Sequence, residues 1–137
     1  VYHQKFYFDQ VRDLLSDGGI SLTHCVTARN SRRPNSWILE NIFPGHFVPT
    51  QEQVEYYIKE SGLELVETFK VESQHYAKTL SIWRDRFAET FQGSMRNTGE
   101  MENFRRTIFY LASCEASFAE DTDGLHVCHY VCRKPTS

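Results

Sequence analysis

The sequence predicts an α/β domain of three strands with flanking helices. Two observations lead there. Segments of helical period alternate with short segments of period two, in the order helix, strand, two helices, strand, two helices, strand. Three strands are also few for so many helices, so the pattern reads as the second half of a doubly wound domain. No repeat, low-complexity tract or linker marks an internal boundary.

Residues 3 to 15 set Phe6, Val11, Leu14 and Leu15 around a helix that stops at "SDGG", where Gly18 and Gly19 are expected to supply positive φ angles. In "ISLTHCVT" a strand puts Ile20, Leu22, His24 and Val26 on one face and Ser21, Thr23, Cys25 and Thr27 on the other; both faces read as buried. A short apolar helix is expected over Trp37 to Phe43, ended by Pro44 and Gly45. The clearest boundaries follow: Thr50 as N-cap, Gln53 at the reciprocal capping-box position, and Gly62 as the stop.

Residues 63 to 72 alternate as a second strand, with Leu63, Leu65, Glu67, Phe69 and Val71 on one side. A helix from about 74 to 92 spaces Tyr76, Leu80, Trp83 and Phe87, and a longer one from about 100 to 119 stripes Phe104, Ile108, Leu111, Cys114 and Phe118. "GLHVCHYVCRK" is a third strand.

The chain has 137 residues, is 40% hydrophobic and carries 15 basic against 18 acidic side chains, enough for a core and short of the basic surface that nucleic acid requires. No apolar run reaches the roughly 20 residues that span a bilayer, and the first ten residues lack a secretory pattern, so a cytosolic setting is expected. Cys25, Cys114, Cys128 and Cys132 read as reduced thiols.

The sequence contains no glycine-rich phosphate loop and no paired CxxC. "HVCHYVC" is the most metal-like cluster, but on a strand His126, Cys128 and Cys132 share one face while His129 points the other way, so ordinary packing is the simpler reading. Cys25 beside His24 lacks a locatable base and orienting partner. The helix stripes read as core faces by periodicity alone. His24 reads by spacing as a packed core histidine, with a ligand role near the end of what looks like a parallel strand as the alternative.

In four stretches, "FDQVRDLLSDGG" running into "LTHCV", "WILENIFPGHFVPT", "HYAKTLSIWRDRF" and "FYLASCEASF", the chain resembles the cyclopropane-fatty-acyl-phospholipid synthase family, including the mycolic acid cyclopropane synthases. The resemblance spans almost the whole chain. It implies a Rossmann-like, S-adenosylmethionine-dependent methyltransferase fold. The implied activity is methylation of a cis double bond in a lipid acyl chain, followed by ring closure through a carbocation with bicarbonate as the base.

The resemblance further implies that His24, the backbone of Val26, and Tyr76 hold the bicarbonate. It also implies that Phe43, Val48, Leu80, Tyr110, Cys114 and Phe118 line the acyl channel. Val26 is smaller than the isoleucine usual in the family. The family's glycine-rich cofactor loop, its bicarbonate-binding glutamate and cysteine, and its N-terminal helices have no counterpart here. The chain is therefore expected to be a C-terminal half, inactive alone, whose parent acts on unsaturated phospholipid at a membrane surface and whose open sheet edge favours self-association. Two other readings are a non-catalytic lipid-binding or scaffold module and a methyltransferase without ring closure.

Overall fold

The computed structural model describes residues 2–120 and 124–136, apart from the side chains of Tyr2 and His3. Its elements run α1 (Tyr2–Leu14), β1 (Ile20–Ala28), α2 (Ser36–Asn41), α3 (Gln51–Glu60), β2 (Glu64–Val71), α4 (Ser73–Phe91), α5 (Thr98–Ala119) and β3 (Leu125–Arg133), the expected order. They form two compact units. The first holds Val1–Arg33, Phe47–Val71 and His126–Ser137; the second holds Pro34–His46 and Glu72–Leu125.

In the first unit the strands lie in the order β1-β3-β2. β3 is antiparallel to β2, from Glu64 opposite Arg133 to Val71 opposite Val127. It is antiparallel to β1 as well: Gly18 and Gly19 bond to Lys134, His24 meets His129, and Thr27 meets His126, so one number falls as the other rises. β1 and β2 thus run in the same direction, and β3 between them is antiparallel to both.

One sheet face carries Cys25, Leu65, Cys128, Tyr130 and Cys132, covered by Phe8 and Val11 of α1, by Leu15 just after it, and by Val54, Tyr57 and Ile58 of α3. Ile58 has no exposed surface, a burial that stabilises by about 1.5–3 kcal/mol. The Arg12 guanidinium donates to Ser61 O at 2.7 Å, tying α1 to the end of α3. α3 begins as predicted. Thr50 Oγ1 accepts from Gln53 N at 3.2 Å and Gln53 Oε1 accepts from Thr50 N at 3.0 Å, while Gly62 leaves the helix at φ 80°.

Four local expectations are corrected. On α1 the inward side chains are buried Phe8 and partly buried Val11, joined by partly buried Leu15 just past the helix; Phe6 and Leu14 are exposed, because α3 meets the other side of the helix. Only Gly18 of the glycine pair has positive φ, at 72°. Gly19 is small for another reason, since a Cβ there would lie 2.7 Å from Ser16 O.

On β1 the face with Thr23, Cys25 and Thr27 packs inward, whereas Ile20, Leu22 and His24 of the other face are exposed and only Ala28 at its end is buried. On β2 the register shifts between Leu65 and Glu67, so Val66 is an extra residue and Phe69 ends up exposed rather than continuing the face of Leu65.

The second unit pairs α4 with α5, with α2 as a short third helix. Asn97 caps α5 by accepting from Glu100 N at 2.9 Å. Arg84 of α4 pairs with Glu115 of α5, and Phe87 stacks on Phe104 with ring centroids 5.6 Å apart.

Candidate functional site

Tyr76, Leu80 and Trp83 lie on consecutive turns of α4, and Tyr110, Cys114 and Phe118 on consecutive turns of α5, because helical spacing of three and four stacks side chains on one face. Packing α4 on α5 brings these stripes together. The Tyr76 ring meets Phe118 edge to face at 4.7 Å and Trp83 at 6.3 Å. Phe43, in the turn after α2, meets Tyr110 edge to face at 5.7 Å, and Trp37 of α2 meets Phe109 at 4.6 Å. Leu80 and Phe118 are buried, Tyr76, Tyr110 and Cys114 half-buried, and Phe43 exposed.

This wall is apolar, yet it carries three titratable groups. Burial, and then the nearby Cys114, raise the Tyr76 hydroxyl above the ordinary phenol range. The same two causes push Tyr110 up further. Burial also raises the Cys114 thiol, against a smaller lowering by its hydrogen bond with Tyr110. All three therefore hold their protons at neutral pH. They can donate hydrogen bonds and are poor bases or nucleophiles.

In the first unit His24 stands on the exposed face of β1, with Nδ1 2.9 Å from Nε2 of His129 on β3 and the ring centroids 5.0 Å apart. Burial of part of the ring lowers its pKa, and repulsion from a charged His129 lowers it further. The packed-core reading of His24 therefore fails, because its face of the sheet is open. Val26, two residues on, is half-buried. Val48 is buried in the same unit, its backbone paired with Arg32 through bonds of 2.9 and 3.1 Å.

His126, Cys128 and Cys132 all lie inward as expected, and among the described residues no group of three or more His, Cys, Asp or Glu side chains could hold a metal ion. No helix among the described residues is long and apolar enough to cross a membrane.

Sequence reasoning missed three positions. His129 is legible as a partner only once β1 is known to pair with β3. Trp37 and Phe109 face each other only after α2 has docked on α5.

Residues 2–129 match the family model for mycolic acid cyclopropane synthetase. The chain is 33% identical over 119 residues to tuberculostearic acid methyltransferase UfaA1 of Mycobacterium tuberculosis, covering 82% of this chain and 27% of that protein. Its fold is similar to that of the cyclopropane synthase MmaA2 from Mycobacterium tuberculosis, with a TM-score of 0.79 and 24% identity over 96% of this chain and 50% of that one. The mycolic acid cyclopropane synthase CmaA1, solved with SAH and CTAB, gives a TM-score of 0.78 at 23% identity over 97% of this chain and 50% of that one. The chain thus spans half or less of the length of each of these three proteins.

Proposed function

From the premise that the chain belongs to the mycolic acid cyclopropane synthetase family, we propose that it is the C-terminal part of an S-adenosylmethionine-dependent lipid methyltransferase. The reaction we infer is transfer of a one-carbon unit to the cis double bond of an acyl chain, with ring closure to a cyclopropane. The substrate class is an unsaturated fatty acyl chain, carried on a phospholipid and met at a membrane surface from the cytoplasm.

The observation that carries this reading is the wall of Tyr76, Tyr110, Cys114 and Phe118 with its protons retained. Methylation of an alkene leaves positive charge on the acyl chain. A surface next to that charge must exclude water and offer no nucleophile, or the cation is trapped. Aromatic faces stabilise a nearby cation through their π electrons. A protonated thiol and phenols do not attack it.

S-adenosylmethionine supplies an electrophilic methyl group when bound, and no residue of this chain is assigned to it. Bicarbonate suits the donors that the resemblance selects. Tyr76 keeps its proton and can give a hydrogen bond to an anion; His24, whose pKa is lowered, can do so in the tautomer that carries its proton on Nε2. When bound, bicarbonate would supply a weak base for the proton lost at ring closure. Phe43, Val48 and Leu80 would contribute apolar contacts to the acyl chain.

A second reading, methyl transfer without ring closure, is favoured by the 33% identity to a protein named as a tuberculostearic acid methyltransferase. The test is product analysis. A polypeptide carrying this chain with a cofactor-binding half is incubated with labelled S-adenosylmethionine and vesicles of unsaturated phospholipid, and the acyl chains are examined by mass spectrometry and proton NMR. Upfield ring protons on a chain that gained one CH2 support cyclopropane formation. A methyl branch with a retained double bond supports the second reading, and label absent from the lipid overturns both.

A further inference from the structure

We infer that His129 is a positioning residue for His24: across the β1–β3 pair, its Nε2–H donates to His24 Nδ1 and so holds His24 as the tautomer that carries its proton on Nε2. The pairing of the two rings stands on geometry; the direction of its hydrogen bond, and its consequence in catalysis, rest on the proposed role of His24 as an anion donor.

Two ring nitrogens 2.9 Å apart cannot both carry protons, nor can both present lone pairs, so one donates and the other accepts. If His24 donated from Nδ1, its neutral ring would turn a bare lone pair outward at Nε2 and could not donate to an anion. If His129 donates, His24 accepts at Nδ1 and turns an N–H outward at Nε2. Only the second arrangement makes neutral His24 a hydrogen-bond donor.

Protonating His24 would need a proton at Nδ1, where the His129 N–H already points, so the pair also keeps the imidazole neutral. The surroundings agree. A groove of about 350 Å³ beside His24 is bordered by Gln4, Tyr7, Phe8, Thr23, Cys25 and Val54, and none of these is a carboxylate that would favour the charged ring. Among the described residues, Tyr7 from α1 and Cys25 from β1 are its other titratable groups.

Antiparallel pairing explains why these two histidines meet. His24 and Ile20 share the outward face of β1, and His129 lies on the side of β3 opposite Cys128 and Tyr130, so both rings stand on one face of the sheet. Substituting His129 should therefore disturb His24 without disturbing the core.

Nitrogen-15 NMR of the ring-labelled chain tests this without any assay of activity. The expected result is a protonated Nε2 and a bare Nδ1 on neutral His24, with the proton also on Nε2 of His129. In His129→Leu the single tautomer of His24 gives way to a mixture. In His129→Gln the amide N–H restores it.

A proton on His24 Nδ1 in the unmodified chain, or an unchanged tautomer in His129→Leu, overturns the inference. In the cofactor-binding polypeptide His129→Leu should lower kcat roughly 10- to 100-fold, the range seen when the partner orienting a metal-bound histidine is removed. KM for the lipid should hold, and His129→Gln should recover most of the rate. If the tautomers come out as expected but no methyl group reaches lipid, the proposed function fails and the pairing stands.

Discussion

The Tyr76 ring meets Phe118 edge to face at 4.7 Å and 67°, one rung of the wall between α4 and α5. The two residues differ in burial and polarity: Phe118 is buried, and half-buried Tyr76 adds a hydroxyl to the ring contact. Phe118→Ala should cost about 3–5 kcal/mol of stability, since it leaves a cavity in the second unit. Tyr76→Phe keeps the ring contact and should stay within about 1 kcal/mol. Urea unfolding of both variants checks the contrast.

Stability should fall at both ends of the pH scale. Burial, opposed by a smaller lowering from Ser21, pushes the Cys132 thiol from 9.0 up to about 11. A raised folded value means the unfolded chain loses its proton first, so this contribution is complete below pH 9.0 and is lost as pH rises towards about 11. Tyr76 and Tyr110 act in the same sense. His24 acts oppositely: its folded value is lowered from 6.5, so its contribution is present above pH 6.5 and falls away on acidification below it. Unfolding free energies measured across pH should show an alkaline decline that shrinks in Cys132→Ala.

The capping box at α3 should be worth about 1 kcal/mol. Thr50→Ala removes the acceptor for Gln53 N and leaves that N–H at a helix start without its side-chain partner. α3 covers the core face of the sheet through Val54 and Ile58, so the loss should lower the midpoint of the whole first unit. Thermal unfolding followed by circular dichroism reads this, and Thr50→Ser should restore most of it.

β1 forms one edge of the three-stranded sheet and leaves Ile20 and Leu22 exposed. An edge with apolar side chains and available backbone groups pairs with other chains. The isolated chain should therefore self-associate with rising concentration in light scattering, and Leu22→Lys should reduce that association. A monomer at high concentration in both forms would count against this use of the edge.

Features set by near neighbours are legible in the amino-acid sequence. Thr50, Gln53 and Gly62 bound α3 correctly, and the helical stripes on α4 and α5 identify residues that do meet. What escapes such reading depends on contacts distant in sequence. The exposed side of α1 is decided by where α3 lies, some forty residues later. The extra residue at Val66 is invisible in an alternating pattern that looks continuous. His129 falls on the face opposite the cysteines by simple alternation, but its meeting with His24 needs the strand order and direction. The assignment of His24, Val26 and Tyr76 to an anion comes from resemblance, and the geometry adds only that His24 is on an open face and that the Tyr76 phenol keeps its proton.

The most direct measurement is turnover of His24→Ala and Tyr76→Phe in the polypeptide that carries the cofactor-binding half, each compared with its own unfolding curve. Both variants should lose about 100-fold or more in kcat, as expected when a group that organises proton transfer is removed, while their unfolding midpoints stay close to the parent's. Turnover equal to the parent's in both variants would contradict the assignment of proton chemistry to these residues.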